Sequence, residues 1–139
     1  MLQKNIPILR IFDVAKAKEF YIDWLGFKID WEHQFEPGTP YYFGISKDDI
    51  QIHLSEHYGD ATPGSKVFII CDGIENYCKE LKNKNYKYYR PGVEKTFYGA
   101  LCMEVTDPFG NKLSFNEYLP AADESWRRNK SLYLSGKKS

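Results

Sequence analysis

Two hydrophobic periodicities alternate along this chain, and their order repeats. Ile6 to Phe12 is a run of β-branched and long apolar residues with Pro7 near its start, which predicts a buried strand. Asp13 offers a side-chain acceptor for the first helical N–H groups. Val14, Ala17, Phe20, Tyr21, Trp24 and Leu25 then follow the spacing of one buried helical face, and Gly26 supplies a left-handed stop. From Phe27 the period falls to two. Phe27, Ile29, Trp31, His33 and Phe35 fall on one side of a predicted strand, with Lys28, Asp30 and Glu32 solvated on the other. Glu36 to Pro40 is a turn segment, Tyr41 to Ile45 a further strand, and Lys47-Asp48-Asp49 a turn into a strand from Ile50 to Ser55.

Glu56 to Ser65, with Gly59, Asp60, Pro63 and Gly64, reads as a linker, after which the same grammar returns. Val67 to Cys71 is a buried strand, Asp72-Gly73 caps, and Ile74, Tyr77, Cys78 and Leu81 mark a second amphipathic helix. Tyr86 to Tyr89, Thr96 to Val105 and Lys112 to Tyr118 are predicted as three more strands. Setting Val14 on Ile74 places Leu9 on Ile69 and Tyr21 on Leu81, an offset of 60 residues. The repeat predicts an α+β fold of two βαβββ modules, about 5–56 and 65–118, in one domain spanning 1–118. Asp107-Pro108-Phe109-Gly110 carries the residues of a type I turn at their proper positions. Residues 119–139 lose the pattern; a short helix over Ala122 to Lys130, packed by Trp126, is the one element expected there.

Composition narrows the partners. Lys plus Arg and Asp plus Glu are 19 each, so the net charge is zero, which argues against nucleic acid as a partner. Neither a signal-peptide core nor an 18-residue apolar span is visible, and the three cysteines show no CxxC spacing. A cytosolic protein, away from membranes and without a disulfide framework, is expected. Aromatic residues reach 17% of the chain, a surplus that suits either a core or a pocket for flat ligands.

Several segments resemble the glyoxalase/bleomycin-resistance (vicinal oxygen chelate) superfamily. They are Arg10-Ile11-Phe12-Asp13-Val14, then Phe20-Tyr21 and Leu25-Gly26-Phe27, and finally Asp107 to Asn111 with Leu113 and Phe115. Ile52 to His57 looks like the bleomycin-resistance branch in particular. The resemblance covers roughly residues 6–118 and implies two modules whose sheets curl into a cup. Metal-dependent members place His, Gln or Glu on cup-facing strands. Carried onto this chain, three of those positions hold Ile6, Lys66 and Ser114, and the fourth falls on Gln51 or His53. A metal needs three or four converging N or O ligands, so neither a metal nor another cofactor is expected.

The function that the resemblance implies is sequestration of a planar or aromatic small molecule in a groove of a homodimer, with no catalytic residue. Candidate ligand-binding residues are Trp31, Phe35, Tyr42, His53, Lys66, Phe68, Phe97, Tyr98 and Asn116. The rings would stack on the ligand, while His53, Lys66 and Asn116 orient it. Each has a plainer reading. A stripe such as Trp31, His33 and Phe35 commonly fills a core, His53 could be a hydrogen-bonded sheet histidine, and Gly99 beside Phe97-Tyr98 could mark an edge bulge. A zinc cluster of His33, His53 and His57 would require the linker to fold back. The alternative function is a metal-dependent lyase, transferase or dioxygenase with its ligands rearranged around His53.

Overall fold

The computed structural model describes residues 1–120, so the helix expected around Trp126 lies outside the described residues. β1 (Ile8–Arg10) leads through Asp13, whose carboxylate accepts from the Lys16 amide, into α1 (Val14–Lys18). The helix then widens into a π-helical stretch, Glu19–Trp24, in which the Leu25 amide reaches back to the Phe20 carbonyl at 3.0 Å. Phe20, Tyr21, Trp24 and Leu25 are all buried along it, as the helical spacing predicts. Removing a side chain such as Phe20 or Leu25 from water contributes about 1.5–3 kcal/mol each. Gly26 ends the element at φ 89°, as its position predicts.

β2 (Lys28–Gln34), β3 (Tyr41–Lys47) and β4 (Ile50–Ser55) complete a four-stranded sheet in the order β1-β4-β3-β2. β1 runs parallel to β4, and the other pairs are antiparallel. β5 (Lys66–Ile70), α2 (Ile74–Asn83), β6 (Glu94–Lys95), β7 (Ala100–Thr106) and β8 (Lys112–Tyr118) follow, giving a second sheet ordered β5-β8-β7-β6. The α+β class and the repeated strand–helix–strands order are as expected, and the helices start at Val14 and Ile74, the residues aligned by the 60-residue offset. No described helix is long and apolar enough to cross a membrane.

Several sequence expectations are corrected. Ile29 pairs with Ile45 but Trp31 with Gly44, because Asp30 is an extra residue at a β-bulge. The bulge sends Phe27 and Ile29 to the buried side, and Trp31, His33 and Phe35 to the other. Tyr86 to Tyr89 is a turn rather than a strand, closed by the Tyr89 amide on the Tyr86 carbonyl at 3.1 Å. β7 begins at Ala100 rather than Thr96, since Phe97-Tyr98-Gly99 forms a tight turn with Gly99 at φ 77°. Asp72 does not cap α2. Gly73 takes the N-cap position, and the Glu117 carboxylate of β8 accepts from the Ile74 amide at 3.0 Å.

The chain divides into two compact units. The first is Met1–Val67 together with Thr106–Leu113; the second is Phe68–Val105 with the chain from Ser114 onward. In the first, the Asp107 turn forms as predicted and its carboxylate is saturated. One oxygen accepts from the Phe109 and Asn111 amides, the other from the Tyr21 hydroxyl at 2.7 Å and the Asn111 side chain at 2.9 Å. Asn111 also donates to the Arg10 carbonyl at 2.8 Å. Burial, and then the Asp107 charge, raise the Tyr21 phenol well above its usual range, so it remains a donor.

Candidate functional site

Alternation along β3 and β4 turns Phe43, Ile45, Ile52 and Leu54 into the core of the first unit. The residues between them, Tyr42, Gly44, Ser46, Gln51 and His53, share the opposite face, and the bulge in β2 adds Trp31 and His33 to it. On that face His53 lies opposite Gly44, and Gly44 opposite Trp31. The Trp31 indole rests directly on the Gly44 backbone: a Cβ at Gly44 would lie 2.7 Å from the ring. Trp31 stacks parallel to Tyr42, with centroids 5.7 Å apart and planes at 10°, and stays 44% exposed.

His53 closes the group edge-on, 5.0 Å from Trp31 and 5.3 Å from Tyr42. Its Nδ1 meets the Tyr42 hydroxyl at 2.8 Å. Burial lowers the imidazole from its ordinary 6.5. Burial and then the Asp60 charge raise the Tyr42 phenol. Both shifts favour the neutral partners, a pairing in which the phenol donates to Nδ1 and the ring proton sits on Nε2. The site therefore offers a flat aromatic surface that carries ring N–H donors on His53 and on the Trp31 indole.

Phe35, 75% exposed, extends the ring cluster by touching His33 at 4.7 Å and His57 at 6.2 Å. His57 also lies 6.4 Å from Tyr42, so all three histidines of the chain join one aromatic network. Among the described residues no three His, Cys, Asp or Glu side chains are grouped to hold a metal. Beside Trp31 the same unit holds a cavity of about 440 Å³, walled by Lys4, Lys28, Asp30, Ser46, Asp48, Asp49 and Gln51. Asp30, exposed as expected, also accepts from the Ser46 hydroxyl at 3.0 Å on this wall. Gly44 is the contributor that the sequence reading passes over, whereas Gln51 enters it only as an alternative to His53. A glycine in mid-strand is the one sequence signal that marks such a close approach.

Residues 1–121 match a family described as glyoxalase superfamily protein. The chain belongs to the glyoxalase superfamily. Its fold is shared with several solved proteins. A bleomycin-binding protein complexed with bleomycin aligns over 85% of this chain and 100% of its own, at TM-score 0.66 and 17% identity. The bleomycin resistance determinant of transposon Tn5 aligns over 84% and 98%, at 0.66 and 18%. TnmS3, an antibiotic binding protein from Streptomyces sp. CB03234, aligns over 86% and 99%, at 0.63 and 18%. No curated protein matches the sequence.

In this glyoxalase-superfamily chain the residues that the resemblance maps onto the family's metal positions do not fit a metal. Ile6 is hydrocarbon and Lys66 an ammonium. The Ser114 hydroxyl is buried against the Cys102 thiol at 3.4 Å. In the first sheet the β1–β4 register sets Ile8, not Ile6, beside His53. The His53 Nδ1 is already engaged by Tyr42.

The remaining predicted residues lie in or beside the second sheet. Phe68, 50% exposed, approaches Tyr98 at 6.2 Å, and Phe97, 82% exposed, projects from the β6–β7 turn. The Tyr98 hydroxyl donates to Asn116, whose amide nitrogen donates to the Ser114 carbonyl and hydroxyl, both at 3.0 Å. Asn116 is fully buried and bonded at both ends, so in this structure it holds Tyr98 in place. Lys66 is exposed at the first position of β5.

Proposed function

We propose that this chain is a small-molecule binding protein that holds a flat aromatic ligand on the Trp31–Tyr42 pair, with His53 as its polar anchor. The observation that carries the reading is the half-exposed, parallel Trp31–Tyr42 stack seated on Gly44. A ring laid on it gains about 0.5–1.5 kcal/mol per aromatic contact beyond the area it buries. The His53 Nε2–H would meet an acceptor on the ligand rim. Fold relatives described as bleomycin-binding and antibiotic-binding are consistent with ligand capture as the activity.

The same reading takes the working form to be a homodimer in the cytosol. Phe68, Ile70 and Phe97 are exposed apolar side chains of the second unit, the kind of surface that a second copy or a ligand covers. Phe35 and Lys66 in the first unit, and Phe68, Phe97 and Tyr98 in the second, are each assigned to ligand contact in such a pairing. Free cysteines at 71, 78 and 102 suit a reducing compartment.

The test is titration of copper-loaded bleomycin and a panel of flat aromatic compounds against intrinsic fluorescence. Trp24 is 2% exposed, so Trp31→Phe separates the site's signal from the rest. At least one flat compound should bind at one per chain. Trp31→Ala should then weaken it by about tenfold or more, equal to about 1.4 kcal/mol. Silence across the panel, or binding indifferent to Trp31→Ala, would sink the proposal.

A further inference from the structure

We propose that the cavity beside Trp31 is a subsite for a primary amine carried by the flat ligand, with the Gln51 side-chain oxygen as its acceptor. This rests on the reading of Trp31 as the ring platform and adds the chemical class of what that ring bears. The carrying observation is an orphan: Gln51 Oε1 is buried and has no hydrogen-bond partner. Native structures leave few such groups, and each calls for a reason.

Here the surroundings supply one. Gln51 sits on β4, where it pairs with Ser46 of β3, so the ladder fixes its backbone on that side. Its neighbour across the ladder, Ser46, has already given its hydroxyl proton to Asp30 and has none for Gln51. Gln51, Ser46, Asp30 and Trp31 wall one cavity, so a ring on the indole can direct a substituent toward the amide. The terminal amide torsion of glutamine is broad, and the oxygen can turn to meet a donor without moving the strand.

Charge selects the kind of donor. Three carboxylates, Asp30, Asp48 and Asp49, line the cavity against two ammonium groups, Lys4 and Lys28. Lys28 reaches Asp30 only at 3.9 Å. An alkylammonium supplies N–H donors and a positive charge together. A carboxylate or sulfonate supplies neither.

The experiment is calorimetric titration of the whole chain with three ligands sharing one ring: 1-naphthylmethylamine, 1-methylnaphthalene and 1-naphthoate. The amine should bind about tenfold more tightly than the methyl compound, with naphthoate weakest. Gln51→Leu should raise the melting temperature, since it removes an unsatisfied buried oxygen, and should bring the amine to within about twofold of an unchanged methylnaphthalene. Gln51→Glu should strengthen the amine further, which keeps the test intact if the leucine variant folds poorly. Equal binding of all three rings, or an amine preference that survives Gln51→Leu, overturns the subsite and leaves the Trp31 platform standing. Failure of every ring to bind overturns both.

Discussion

A glycine in mid-strand gives up side-chain packing, so Gly44, buried and paired on both sides, needs a reason to be there. The reason is the indole lying on its backbone. Gly44→Ala should lift Trp31 off the sheet and lower stability by about 1–3 kcal/mol, as overpacking does. Urea denaturation measures the loss, and a shift of Trp31 emission reports the displaced ring. His53 predicts a pH response. Its folded pKa lies below 6.5, so the unfolded chain binds the proton more readily. Stability is therefore full above 6.5 and falls as pH drops from there through the folded value. Ligand affinity should fall in the same window, because an imidazolium Nδ1 can no longer accept from Tyr42. Titrations at pH 8 and pH 5.5 check this, and affinity unchanged between them contradicts it. Trp31, Tyr42 and His53 were legible as candidates from residue type and the family resemblance, while strand period alone puts Trp31 on the side of Phe27 and Ile29. Gly44 and the Gln51 oxygen were not, since one matters for a missing side chain and the other for a missing partner.

At the scale of elements, the segments most typical of the family hold the fold together and do not line the ring platform. Tyr21 from the helical stretch and Asn111 from the closing turn both spend their polar groups on Asp107. Tyr21→Phe should cost about 1–3 kcal/mol in urea denaturation, since it removes one donor from a buried carboxylate. Ligand binding at Trp31 should be unaltered, and a loss of binding equal to the loss of stability would contradict this division of labour. Helices and the Asp107 turn were readable because their signals are local: a cap residue, a spacing, a Pro and a Gly. The bulge at Asp30 was not, because one inserted residue leaves period two intact on either side of it while exchanging the faces. The Tyr86-Lys87-Tyr88 alternation imitates a strand in the same way, and only the hydrogen bond from Tyr89 to Tyr86 reveals the turn.

For the whole molecule, the repeat at 60 residues correctly gave two strand–helix–strands passages, and the helix starts agree with it to the residue. The proposed dimer is checked by sedimentation equilibrium, where twice the chain mass is expected, and a monomer at every concentration tested would refute it. A ligand present at a hundred times its Kd should add about 2.7 kcal/mol of stability, readable as a raised melting temperature. The repeat does not make the halves separable, however. The first unit takes Thr106–Leu113 from late in the chain. A cut anywhere in the 56–65 linker would leave Tyr21 and Arg10 on one fragment, with Asp107 and Asn111 on the other. Each piece would then lack what the other carries. Expressed apart they should be insoluble or unfolded; expressed together they should reassemble, which makes the closing turn the latch of a natural split-protein reporter.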